Sequence, residues 1–149
     1  MSVLLVRHAV AGSRAAWSGD DARRPLDDRG RRQAAGLVAT LRPFEVVRVL
    51  SSPAVRCVDT VAPTAAAAGV TVEQDEDLLE GNGSGAIGLV RSLFAATPSG
   101  SVVVCSHGDV IPEVLDNLGV PWERCQKAST WVLDREGTRV RGRYLRPPA

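Results

Sequence analysis

A chain of 149 residues, 44% of them hydrophobic, is near the usual size of one domain and is long enough to bury roughly 70% of the surface its unfolded form exposes. A net charge of +1, from 18 basic and 17 acidic residues, sets up no global field that would recruit nucleic acid or an anionic membrane, so any affinity for phosphate must be local. No apolar run approaches the roughly 20 residues that span a bilayer, and the stretch from Met1 to Val6 runs straight into Arg7 and His8, which predicts a cytoplasmic protein with a single domain over residues 1–149.

Val3-Leu4-Leu5-Val6 is an unbroken apolar run without alternation, the pattern of a parallel strand covered on both faces, and it ends at Arg7-His8. A polar stretch follows from Gly12 to Arg24. Pro25-Leu26-Asp27 then opens a helix whose apolar positions Ala34, Leu37, Val38 and Leu41 keep helical spacing until Pro43 stops it. Val46 to Leu50 is a second strand. Ser51-Ser52-Pro53 reads as a helix start with a hydroxyl cap, and the helix runs toward Gly69, with Pro63 expected to kink or split it. Val70-Thr71-Val72 is a short third strand, and Asp77 to Glu80 leads into a flexible glycine loop, Gly81 to Gly85.

Ile87, Val90 and Phe94 suggest a further helix ending near Thr97-Pro98, followed by a strand, Val102 to Cys105, that stops at Ser106-His107-Gly108. Ile111, Val114, Leu115 and Leu118 repeat at helical spacing up to Gly119. Thr130 to Leu133 and Arg139 to Leu145 form a hairpin turning at Glu136-Gly137. Strands alternating with helices predict a three-layer α/β/α sandwich around a mostly parallel sheet. In such sheets ligands gather outside the carboxyl ends of the strands, where both histidines of the chain lie.

His8 and His107 each follow a strand, and each stands beside a residue suited to phosphate. Arg7 directly follows a buried run, and Arg56 falls in the first turn of a helix, where free N–H groups also favour an anion. An arginine fork binds phosphate oxygens bidentately and stays charged. Phosphoryl transfer needs an in-line nucleophile and fixed positive charge around the phosphoryl oxygens, and at about 4 Å and an effective dielectric near 20 each unit-charge pairing is worth roughly 4 kcal/mol before desolvation. Two arginines and a second histidine supply that charge without a metal or other cofactor. Glu80 is placed to protonate the leaving oxygen, with Asp20 or Asp21 as alternatives.

These residues resemble a known family. Leu5-Val6-Arg7-His8, Pro25 to Ala34, Ser51-Ser52-Pro53 with Arg56 and Thr60, Leu79-Glu80, and Ser106-His107-Gly108 follow the order of the histidine phosphatase superfamily, also called phosphoglycerate-mutase-like. The resemblance implies a phosphoglycerate-mutase-like fold, a phosphorylated His8 intermediate, a phosphate pocket of Arg7, His8, Arg56 and His107, and Glu80 as proton donor. The short loops look more like the small phosphohistidine-phosphatase (SixA-like) branch, which implies a phosphohistidine protein or a small phosphomonoester as substrate. Arg24 to Asp27 and Lys127 to Leu133 are similar to the phosphatase-like domain that some actinobacterial Nudix hydrolases carry at their C-terminus. That makes nucleotide-derived phosphates candidate substrates and a separately encoded Nudix protein a candidate partner. The usual glycine after the nucleophile is Ala9 here, which fits if its dihedrals are ordinary.

Rival chemistries fare worse. A cysteine phosphatase needs an arginine six positions after its thiolate, and Cys57, Cys105 and Cys125 are followed there by Pro63, Ile111 and Trp131, so all three read as free thiols. Two distant histidines do not form a metal-binding helix motif. A non-catalytic phosphate-binding module on the same fold would have lost a pocket residue, and none is missing. The basic strand with Arg139, Arg141, Arg143 and Arg146 reads as a charged sheet edge rather than a nucleic-acid surface. Trp122 and Trp131 are expected to pack in a core or interface, as is Trp17, which also lies near the predicted pocket.

Overall fold

Six strands and four α-helices alternate along the chain in the computed structural model, which describes residues 1–96 and 99–149. They are β1 (Ser2–Arg7), α1 (Asp28–Leu41), β2 (Val46–Ser51), α2 (Val55–Ala68), β3 (Val72–Gln74), α3 (Gly83–Ala96), β4 (Ser101–Ser106), α4 (Val110–Asn117), β5 (Thr130–Glu136) and β6 (Arg139–Leu145). The strands form one sheet in the order β3-β2-β4-β1-β5-β6. β3, β2, β4 and β1 run parallel to one another, and the β5–β6 hairpin joins the far edge with β5 antiparallel to β1.

The side chains of β1 divide between two cores. Val3 and Leu5 face a cluster with Leu93 and Phe94 of α3 and Ile111 and Leu115 of α4. Leu4 and Val6 face Leu37 and Leu41 of α1 and Cys57 and Val61 of α2. Helices therefore cover both faces, as the unbroken apolar strands required, and the fold is the expected α/β/α sandwich with a mostly parallel sheet. The edge strand β6 presents Arg139, Arg141 and Arg143 outward, with Arg143 stacked 5.8 Å over the Phe44 ring.

Several local expectations change. Pro63 lies inside α2 without splitting it, because the carbonyl that loses its donor belongs to solvent-exposed Asp59 while the apolar face stays packed. β3 begins two residues late, since Gly69 caps α2 at φ +72° and the Val70 N–H is bonded to the Ala65 carbonyl. The glycine loop is largely helical: Asn82 accepts from the Gly85 N–H, and α3 begins at Gly83 against Glu113 of α4. The expected end of that helix at Thr97-Pro98 lies outside the described residues. Of the three tryptophans, Trp131 is buried in the core, while Trp17 and Trp122 are each 37% exposed and donate to Asp20 O and Asp116 Oδ1.

The segment after β1 is clamped onto the start of α1. Val10 N–H donates to Gln33 Oε1, Asp27 N–H donates to the Val10 carbonyl, and a Cβ on Gly30 would overlap that carbonyl. Gly88, by contrast, is an exposed helix glycine with nothing within 4 Å of an added Cβ. Gly30→Ala should therefore destabilise the fold by about 1–3 kcal/mol, whereas Gly88→Ala should stabilise it by about 0.5–1 kcal/mol. Urea unfolding of the two variants checks both signs.

Candidate active site

Parallel pairing of β1 with β4 puts Arg7 opposite Ser106, so His8 and His107 are the next residues out on adjacent strands. The His8 N–H donates to the Ser106 carbonyl at 3.1 Å. The two buried imidazoles meet edge to face with ring centroids 5.5 Å apart. Residues about a hundred positions apart thus share one crevice.

The His8 ring is held in one tautomer. Its Nδ1 lies 2.8 Å from the Ala9 carbonyl, and a carbonyl only accepts, so Nδ1 carries the proton. Nε2 has no partner among the described residues and, in the neutral ring, keeps its lone pair. Burial, and then the charges of His107, Arg56 and Arg7, bring the His8 pKa down to about 3 against the upward pull of the Ala9 bond. His8 is therefore a neutral imidazole with a free Nε2 throughout the physiological range.

Positive charge surrounds it. Arg7 donates through Nη1 to the Cys125 carbonyl at 2.7 Å and lies flat against Gly108, where a Cβ would come within 2.6 Å of its guanidinium carbon. The glycine of Ser106-His107-Gly108 is thus demanded by the arginine of Arg7-His8. Arg56 is 2% exposed and donates to the Asp21 carbonyl at 2.9 Å. Its own carbonyl accepts from Thr60 Oγ1, which in turn accepts the Ala9 N–H, tying the start of α2 to the residue after His8. The Ser52 hydroxyl, expected to cap α2, lies 2.8 Å from His107 Nε2, and Ala54 takes the cap position with no side-chain bond. Arg7 Nε, Arg56 Nε and His107 Nδ1 are buried without hydrogen-bond partners among the described residues.

Glu80 reaches the same place from the turn after β3. Its Oε2 lies 3.4 Å from Arg56 Nη2 and its Oε1 3.0 Å from Arg14 Nη2. Burial pushes this carboxyl up, but the Arg14 hydrogen bond and the nearby charges of Arg14, His107 and Arg56 hold it below its ordinary value. The Gly81 N–H donates to Asp109 Oδ2 at 2.8 Å and so fixes the Glu80 turn to the head of α4. Asp21 contacts Arg56 at 3.3 Å and is also held ionised, chiefly by its bond from Arg24. Asp20 is exposed and caps a short turn by accepting from the Ala22 N–H, away from the crevice.

The crevice, of about 290 Å3, is lined by Arg7, His8, Glu80 and His107 and by Arg14, Arg24, Asp109 and Lys127, four residues that pattern along the sequence does not mark as belonging to a site. Arg14 and Arg24 look like ordinary surface charges in a polar loop. The one signal for Arg24 was its place before Pro25-Leu26-Asp27, and it is 7% exposed with its Nε on Asp21. Ala9 avoids positive φ and packs in a small cluster with Leu26, Ala34 and Ala128, so its methyl is accommodated. Cys57 and Cys105 are buried and Cys125 half-buried, all three as free thiols. Among the described residues no three His, Cys, Asp or Glu side chains gather as a metal site would require, and no helix is long and apolar enough to cross a membrane.

Residues 3–89 match the family model described as histidine phosphatase superfamily (branch 1), a stretch that holds Arg7, His8, Arg56 and Glu80. The chain is 37% identical over 99% of its length to an 8-oxo-(d)GTP phosphatase of Mycolicibacterium smegmatis, of which it covers 48%; it spans about half of that relative. Among solved structures it is similar to the protein histidine phosphatase SixA complexed with tungstate, with a TM-score of 0.78, 22% identity, and coverage of 100% of this chain and 97% of that one. It is also similar to a mycobacterial glucosyl-3-phosphoglycerate phosphatase complexed with VO3, with a TM-score of 0.78, 18% identity and 96% of each chain covered.

In the unfolded chain His8 titrates near 6.5, and in the crevice near 3, so between these values the unfolded chain holds a proton that the fold excludes. This stability is fully present above pH 6.5 and is lost as pH falls toward 3. Acidification from pH 7 to pH 4 should therefore cost the wild type about 3 kcal/mol more than His8→Ala. Equal losses in urea unfolding of the two proteins would show that His8 is not buried as the neutral form.

Proposed function

The chain belongs to the histidine phosphatase superfamily, and from that premise we propose that residues 1–149 act as one catalytic domain, a hydrolytic phosphatase working through a phosphohistidine at His8, without a metal. The observation that carries this is the His8 ring itself: a buried neutral imidazole, with Nδ1 bonded to the Ala9 carbonyl and Nε2 free among cationic side chains. Nε2 attacks phosphorus in line, the bond from phosphorus to the leaving group breaks, and a water later cleaves the phosphorus–nitrogen bond to release phosphate and restore His8. Arg7, Arg56 and His107 hold the phosphoryl oxygens, which accept from the nitrogens that otherwise lack partners.

Glu80 is the proton donor to the leaving group in this scheme. At rest its arginine neighbours keep it ionised, but a phosphate dianion seated among them offsets their charge and raises its proton affinity. A phosphohistidine protein or a small phosphomonoester is the substrate class proposed, phosphohistidine being the less demanding of acid help. The likeness to an 8-oxo-(d)GTP phosphatase over nearly the whole chain favours a second reading, in which the phosphate comes from a nucleotide. A cytoplasmic location and a separately encoded Nudix partner belong to the same proposal, and co-purification from the native soluble fraction tests both.

The deciding experiment is phosphate release in EDTA from phosphohistidine protein, nucleoside phosphates and sugar phosphates, for wild type and His8→Ala. Release should be metal-independent and vanish in the variant while its far-UV spectrum is unchanged; near wild-type turnover by His8→Ala would sink the mechanism. Glu80→Gln should lower kcat on an alkyl phosphate by about 10²- to 10⁴-fold and on phosphohistidine far less. Equal losses on both substrates would remove Glu80 from the proton-donor role.

A further inference from the structure

Beside the crevice lies a second, larger groove of about 840 Å3. Arg7 and Lys127 line both, so the two spaces adjoin at these side chains. The groove adds Arg29 from the first turn of α1 and Arg146 from just beyond β6, with Gln33 and Gln126 between them and Pro147–Ala149 along the far wall. Four cationic side chains line it and no acidic one does.

None of these cations is in a salt bridge among the described residues: Arg29, Lys127 and Arg146 make no ion pair, although eleven other charged side chains do. The acids at the head of α1 are engaged elsewhere: Asp27 Oδ1 accepts from the Gly30 N–H, and Asp28 pairs with Arg31. Partial burial, and then the charges of Arg7 and Arg24, keep the Lys127 ammonium below the usual lysine range, with Asp27 alone acting the other way. Like charges gathered at a concave surface repel one another, and a ligand that brings negative charge relieves that repulsion.

We propose that this groove is a second anion subsite, one that holds the remaining phosphates of a leaving group while its terminal phosphate faces His8. The substrate class is then a nucleoside di- or triphosphate, or another compound with a phosphoanhydride at its end. This rests on the phosphatase reading and deepens it. In the reaction the terminal phosphoryl group moves to His8 Nε2 and the bond to its bridging oxygen breaks. The shortened nucleotide leaves with the bond's electron pair on a phosphate oxygen, its negative charge held by Arg29, Lys127 and Arg146. Such a leaving group requires little protonation, in keeping with a Glu80 that arginines hold ionised at rest.

The test is the double variant Arg29→Ala/Arg146→Ala, which alters the groove and none of the residues around His8. With wild type, kcat/KM should rise from guanosine mono- to di- to triphosphate. In the variant, turnover of the triphosphate should fall by roughly 10- to 100-fold while p-nitrophenyl phosphate is hydrolysed as before. An unchanged preference for the triphosphate, or a wild type that favours the monophosphate, would overturn the subsite. Loss confined to a phosphohistidine protein would overturn it as well and assign the groove to an acidic protein surface. If no substrate is turned over, the phosphatase reading fails on its own; calorimetric titration with tripolyphosphate then still decides the groove, since the wild type must bind it at least tenfold more tightly than the variant.

Discussion

The in-register pairing of β1 with β4 is the constraint on which the rest of the site depends. Because Arg7 lies opposite Ser106, the chain delivers two imidazoles side by side at one end of the sheet, and the backbone itself joins them through the His8 N–H and the Ser106 carbonyl. Slipping that ladder by one residue would turn every β1 side chain to the opposite face and break both cores at once. The two apolar faces therefore hold the register, and the register holds the chemistry. Continuity extends outward from there: Ser106 Oγ donates to the Leu78 carbonyl two residues before Glu80, and Thr60 bridges Ala9 to the first turn of α2.

What the fold stabilises at this end is an arrangement that local chemistry opposes. Three arginines and two imidazoles crowd around a small crevice, several of their N–H groups lack partners, and Ala128, a residue with a side chain, adopts φ +64° beneath His8. A non-glycine residue in that region costs on the order of 1 kcal/mol, as does each buried nitrogen left unbonded. The left-handed turn lets the Ala128 N–H reach the carbonyls of both Arg7 and His8, so the strain fixes the backbone of the two residues on which the site is built. Leu4, Leu37, Leu41, Ile111 and Leu115, each fully buried, contribute roughly 1.5–3 kcal/mol apiece and carry such a load without difficulty. In the proposed reaction these unbonded donors meet phosphate oxygens, and the cost of burying them becomes affinity.

Much of the architecture was legible because it is written in short-range pattern. Unbroken apolar strands announced a sheet covered on both faces, and Gly69, Gly119 and Gly137 marked turns where φ is indeed positive. Where the reading went astray, a tertiary partner had outbid a local one. Ser52 had the form of a helix cap, yet its hydroxyl bonds His107 and accepts only from the Ala54 N–H ahead of α2; Pro63 had the form of a break and was held in α2 by packing; Gly83 and Gly85 looked flexible and are helical, with Gly83 packed against Glu113.

By itself the sequence determined the order of strands and helices, the covered sheet, and the residue types at the two strand ends, since each follows from periodicity and from which side chains suit phosphate. Only the tertiary structure decided which nitrogen of His8 is free, that Glu80 and Asp21 are ionised by Arg14, Arg24 and Arg56, and that Lys127, Arg29 and Arg146 adjoin the crevice. The reason is physical. Tautomer, ionisation and electrostatic environment depend on distances of a few ångströms between groups far apart in the chain, and pattern along a sequence carries no such distances.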